Sequence, residues 1–86
     1  MQVRVNPSAV YADLEDGAIV LNVDTGTYFG LDSVGSRIWA LVGDGSTQTA
    51  IVSQLETEYT AERPQLDADV TDYLHALEAN GLVHIA

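Results

Sequence analysis

The spacing of hydrophobic positions changes once along this chain, near residue 32. Before that point the period is two. Val10, Ala12 and Leu14 alternate with Tyr11 and Asp13, which predicts a half-buried strand over Ala9–Leu14. Residues 2–5 form a shorter strand or arm, broken by Asn6-Pro7. Glu15-Asp16-Gly17-Ala18 is hairpin chemistry, and residues 18–23 return as a second strand. Ile19, Leu21 and Val23 share one of its faces, and Ala18, Val20 and Asn22 the other. Asp24-Thr25-Gly26 then reads as a three-residue turn, with Gly26 free to take the positive φ it needs. The aromatic stretch Thr27–Leu31 is short, as an edge strand is. With Leu31 and Phe29 facing the core, Tyr28 and Gly30 point away.

Beyond residue 32 the period becomes helical. Val34, Ile38, Leu41 and Val42 share one face with Trp39 beside them, and Gly43-Asp44-Gly45 ends that helix. Asp32 or Ser33 caps its start, Ser33 being taken as the cap. Ser46 or Thr47 caps a second helix striped by Ile51, Val52, Leu55 and Tyr59. Glu62-Arg63-Pro64 connects it to a last helix ending near Asn80, lined by Leu66, Val70, Tyr73, Leu74 and Leu77. Asp67, Asp69 and Asp72 fall in its early turns, where the helix dipole favours negative charge. Gly81 occupies the left-handed C-cap position, Leu82 folds back onto the helix end, and Val83 and Ile85 form a tail strand. Sheet followed by three helices is an α+β order, and one domain over residues 1–86 is expected.

Charge narrows the function. Thirteen acidic residues oppose three arginines, for a formal charge of -10. Nucleic-acid affinity rests largely on Lys and Arg displacing counterions, so this balance argues against a nucleic-acid partner. With no cysteine, the chain has no disulfide, thiol nucleophile or thiolate metal site. No apolar run suits a bilayer and no signal segment begins the sequence, so a cytoplasmic protein without a membrane partner is the expectation.

Catalysis has little to stand on. His75 and His84 are the two histidines, expected on an exposed flank and in solvent, and no carboxylate pair has a telling spacing. Asp67, Asp69 and Asp72 read as helix-start acids rather than metal ligands or catalytic groups. No glycine-rich phosphate loop occurs, so no cofactor is implied, and Trp39 and Tyr73 read as core. The feature left is an edge strand, Thr27–Leu31, beside a later helix: a groove in which an extended peptide completes the sheet. An empty edge of that kind also pairs with its own copy, so a concentration-dependent dimer is expected. Leu31-Asp32-Ser33-Val34 resembles the phosphopantetheine site of acyl carrier proteins, but those are helical from the start, and β structure precedes Ser33 here. Three helices beside a small sheet also suit a winged-helix DNA binder, which the charge opposes.

The run Leu21-Asn22-Val23-Asp24-Thr25-Gly26-Thr27-Tyr28-Phe29-Gly30-Leu31-Asp32, continuing through Val34-Gly35 to Ile38-Trp39, resembles the PqqD-like family. The likeness extends through Gly45, residues 51–59 and residues 69–74 to Glu78-Ala79-Asn80-Gly81-Leu82-Val83. That family is the RiPP recognition element, a winged helix-turn-helix domain that binds leader peptides of ribosomally made, modified peptides. The resemblance implies that a leader adds as a strand along Thr27, Tyr28, Phe29, Gly30 and Leu31, in a cleft against Asp69, Val70, Tyr73, Leu74 and Leu77. Val70, Tyr73, Leu74 and Leu77 would make apolar pockets, and Asp69 would pair with a basic leader residue. Within the family the strand is most similar to leader-binding proteins of lasso-peptide clusters. Those hand a precursor to a leader peptidase and a cyclase. The alternative is a PqqD-type chaperone serving a radical SAM enzyme.

Overall fold

The computed structural model describes residues 2–86. Its elements, in chain order, are β1 (Val3–Val5), β2 (Ala9–Leu14), β3 (Gly17–Asn22), β4 (Thr27–Leu31), α1 (Ser33–Gly43), α2 (Gln48–Glu58), α3 (Arg63–Ala79) and β5 (Val83–Ile85). The fold is α+β. β2, β3 and β4 form a three-stranded antiparallel sheet in that order, leaving β4 at one edge, as expected. The chain ends supply a second sheet that sequence reading left unpaired. β1 joins β5 antiparallel, with Val3 opposite Ile85 and Val5 opposite Val83.

The inner face of β3 is Ala18, Val20 and Asn22. Beneath it lie α1 and the buried side of α3, which bring Ile38, Trp39, Leu74 and Leu77 into one hydrophobic core. Each fully buried Leu or Val there contributes about 1.5–3 kcal/mol. β2 departs from the half-buried strand expected of it. Val10, Tyr11 and Leu14 all stay exposed, because β2 lies at the edge remote from β4 while α1 packs under β3 and β4. The β3–β4 connection is a four-residue loop rather than three, since β3 stops at Asn22 and Val23 enters the turn. Gly26 takes φ 75° there, and its N–H donates to the Asn22 carbonyl at 2.8 Å.

Helix ends follow chain chemistry with two corrections, the α1 cap and the place of the α3 acids. Asp32, not Ser33, caps α1: its carboxylate accepts the Gly35 N–H at 2.7 Å, while Ser33 is the first helical residue. Thr47 caps α2, accepting from the Ala50 N–H at 3.2 Å. α3 begins at Arg63, with Pro64 in its first turn. Asp67, Asp69 and Asp72 therefore lie past the first turn, where the dipole no longer reaches, and that turn holds no acid. At the far end, Gly81 (φ 71°) donates to the Glu78 carbonyl at 2.9 Å and Leu82 to Leu77 at 3.0 Å, the two bonds of a Schellman stop.

Candidate peptide-binding groove

Backbone polarity identifies what β4 offers. The Val23 N–H donates to the Ser8 carbonyl at 3.0 Å, toward the β2 side. Main-chain groups alternate direction along a strand, so Asn22, Val20 and Ala18 bond toward β4 instead. Their partners are Thr27, Phe29 and Leu31. It follows that Tyr28 and Gly30 direct their N–H and C=O groups outward, along the free edge of the sheet. Tyr28 is 67% exposed, and a Cβ added at Gly30 would meet open space.

α3 forms the other wall. Helical spacing places Asp69, Tyr73, Ala76 and Asn80 in one row. Tyr73 from that row meets Phe29 of β4 edge to face, with ring centroids 5.9 Å apart and planes at 83°. The hydroxyl of Tyr73 packs against Gly35 at the start of α1, where a Cβ would lie 2.7 Å from the ring carbon bearing it. It has no hydrogen-bond partner among the described residues. Burial, and then the negative charge of Asp32, push the Tyr73 pKa up to about 12.

The expected groove residues divide in two. Thr27, Tyr28, Phe29, Gly30 and Leu31 form one continuous edge, and Asp69 and Tyr73 lie on the helix row beside it. Val70, Leu74 and Leu77 are 1%, 0% and 0% exposed, so they belong to the core beneath the groove and are not open pockets. The reason is angular: these three center about 65° round the helix from Tyr73, toward the core. Tyr73 is itself half-buried against the core, as sequence reading placed it. The three helix acids separate as well. Asp67 accepts from Gln48 of α2 at 3.2 Å, whereas Asp69 accepts from Gln65, one turn earlier on α3, at 2.9 Å. No cluster of side chains able to hold a metal ion forms among the described residues. His75 and His84 are both exposed.

Gly35 and Asn22 shape the candidate groove and were not among the expected site residues. Gly35 leaves room for the Tyr73 hydroxyl, and Asn22 anchors the turn before β4 to the end of α3. A glycine inside a helical pattern was the available signal for the first. For Asn22 it was an amide sharing a face with Ala18 and Val20.

Residues 17–83 match the model of the family described as coenzyme PQQ synthesis protein D (PqqD). The chain belongs to the PqqD family. Among solved structures, this PqqD-family chain is similar to TbiB1 in complex with the TbiA(β) leader peptide. The two share 38% identity over 96% of each chain, with a TM-score of 0.90. It is also similar in fold to lasso peptide synthetase B1 complexed with the leader peptide, at 24% identity over 99% of this chain and 100% of that one, again with a TM-score of 0.90. No curated protein matches it. Among the described residues, no helix is long and apolar enough to cross a membrane.

Proposed function

We propose that this PqqD-family chain is a non-catalytic receptor for the leader of a ribosomally made precursor peptide. The leader adds as a fourth strand along β4, bonding to the outward N–H and C=O groups of Tyr28 and Gly30, and lies against the Asp69–Tyr73 row of α3. The observation that carries this is the unpaired β4 edge, held open beside a helix wall by the Phe29–Tyr73 contact. Support comes from TbiB1, 38% identical, whose structure contains a leader peptide in complex. Thr27, Phe29 and Leu31 hold the edge in place from the β3 side, while Val70, Leu74 and Leu77 support Tyr73 from below.

The pathway that follows is lasso-peptide biosynthesis, with the bound precursor delivered to a leader peptidase and then a cyclase in the cytoplasm. The arrangement is read as a winged helix-turn-helix in which the strand edge, rather than a helix, meets the ligand. The family description favours one second reading, a PqqD-type peptide chaperone serving a radical SAM enzyme. Both readings use the same groove and differ in the precursor. A carrier role at Ser33 has no support in a chain of this family.

A backbone-amide NMR titration with the precursor's leader peptide tests the proposal. Shifts concentrated at Tyr28, Gly30 and residues 69–77 are expected. A leader that binds and moves only other amides refutes the groove.

A further inference from the structure

β2 is the other edge of the three-stranded sheet, and its outer side pairs with no strand among the described residues. Because the Val23 N–H donates to the Ser8 carbonyl, Val10, Ala12 and Leu14 bond toward β3, while Ala9, Tyr11 and Asp13 turn outward. The Ala9 N–H is spent on the Asn6 carbonyl at 2.9 Å. Tyr11 and Asp13 therefore carry the open ladder. The strand has none of the usual devices that blunt an edge. Ala9–Leu14 runs in unbroken register with β3 and contains no lysine, proline or bulge.

The helices serve the opposite edge, α1 packing under β3 and β4 and Tyr73 of α3 meeting Phe29 of β4. What joins β2 must therefore bring its own matching faces. A second β2 does. Val10 and Leu14, 52% and 57% exposed, flank Ala12 on the outer face. Tyr11 and Asp13 share the other face, the Tyr11 hydroxyl donating to the Asp13 carboxylate at 2.6 Å.

Register follows from charge and from the spent N–H. A second β2 laid antiparallel with Ala12 opposite its own copy sets Tyr11 against Asp13 and Val10 against Leu14, each twice. Every outward N–H and C=O of Tyr11 and Asp13 in both copies is then used. Ala12 falls on the two-fold axis as a non-hydrogen-bonded pair, where Cα atoms approach to about 4.5 Å and a small side chain fits. Centring on Asp13 instead opposes two carboxylates. Centring on Val10 or Tyr11 calls on Ala9, whose N–H is already taken.

We infer that β2 is a self-association edge, through which two copies join antiparallel about Ala12 into one six-stranded sheet. The order is β4-β3-β2-β2-β3-β4. Both β4 edges lie at the far ends, so each copy keeps its groove open and the pairing does not depend on leader binding. One strand pair is a small interface, so the dimer is reversible and depends on concentration. Each copy carries a formal charge of -10, so salt strengthens the dimer by screening.

The test is sedimentation equilibrium from micromolar to millimolar protein, with amide exchange followed by NMR over the same range. The average mass should climb from 9.2 kDa toward twice that value, and further at high salt. Protection should rise with concentration at the Tyr11 and Asp13 N–H groups. Ala12 is exposed, so Ala12→Glu and Ala12→Lys should keep the fold by circular dichroism. Each alone should stay monomeric, since like charges then meet at the axis, and an equal mixture of the two should dimerise. Gly30→Pro, which alters the β4 edge, should dimerise as the parent does. A parent that stays monomeric at millimolar concentration overturns the inference, as does a dimer indifferent to Ala12→Glu. A mixture no more associated than its parts overturns the register. A dimer abolished by Gly30→Pro places the contact at β4. Protection of Tyr11 and Asp13 that requires the TbiA(β) leader, in a protein that stays monomeric, assigns the edge to a peptide and overturns the second copy.

Discussion

The side-chain amide of Asn22 donates to the main-chain carbonyl of Gly81 at 2.9 Å, joining the turn before β4 to the stop of α3. Asn22 is 3% exposed, and its carbonyl oxygen is also in use, accepting from the N–H groups of Asp24 at 3.0 Å and Thr25 at 3.3 Å. Asn6 donates to the same Gly81 carbonyl at 2.7 Å. One buried amide thus sets where the strand begins and where the helix ends, and so how far apart the two groove walls stand.

Replacing Asn22 with alanine leaves two loop N–H groups without their acceptor. Asn22→Ala should cost about 1–3 kcal/mol, read from urea midpoints at unchanged slope. Leader affinity should fall as well, beyond the fraction lost to unfolding. Gly81→Ala should act on the same joint. An added Cβ would sit 2.7 Å from the Asn22 amide nitrogen, at a φ of 71° that side chains rarely adopt.

The Tyr73 hydroxyl is buried without a hydrogen-bond partner among the described residues and fills the space Gly35 leaves. Tyr73→Phe should therefore be neutral or stabilising, by at most about 1 kcal/mol. Gly35→Ala should destabilise by about 1–3 kcal/mol through overpacking. Combining the two should recover part of that loss, since the hydroxyl goes but the ring carbon stays. Strict additivity in the double mutant would mean the two residues do not press on each other.

Alkaline titration reads the same contact. The folded Tyr73 pKa, about 12, lies above the ordinary value of 10.0, so between those two the unfolded chain loses its proton first. Stability from this residue is fully present below pH 10 and falls as pH rises toward 12. Tyr73→Phe should flatten that decline, and Asp32→Asn should lower the Tyr73 pKa when tyrosinate absorbance is followed.

At the start of α1, the two neighbouring residues that compete for the capping role should separate cleanly. Asp32→Ala should cost about 0.5–2 kcal/mol, and Ser33→Ala should stay within about 0.5 kcal/mol. Thermal midpoints of the two variants decide it.

Strand addition is tested most directly at Gly30, whose N–H points to the open edge. Gly30→Pro removes that donor without touching the β3 ladder, and proline is tolerated at sheet edges. Leader binding should drop at least tenfold with the fold retained by circular dichroism. Gly30→Ala, whose Cβ meets nothing within 4 Å, should bind as the parent does.

Local chemistry made the strands, the helices and the groove edge legible. The period-two runs, Asp16-Gly17, Asp24-Thr25-Gly26 and the Gly81 stop all act within a few residues of themselves. What stayed hidden depends on residues far apart in the chain. The β1–β5 pairing joins the two chain ends, and nothing in Val3–Val5 names Val83–Ile85 as its partner. Val70, Leu74 and Leu77 share a helix side with Tyr73 in the sequence pattern, yet only the placement of α3 against the sheet decides which are covered. Asp32 and Ser33 are both good caps by type, and the choice fell to which carboxylate or hydroxyl reaches Gly35.

The outward groups of Tyr28 and Gly30 repeat every second residue, which leaves one ambiguity in anything that binds them. A guest strand displaced by two residues, roughly 6.8 Å, forms the same ladder. Such an edge measures straightness but not position. Position has to come from marks placed off the edge, and the Phe29–Tyr73 contact, made at one place along β4, is one such mark. On the reading proposed here, guests of quite different sequence would share the ladder, and the helix across from it would decide where each one stops.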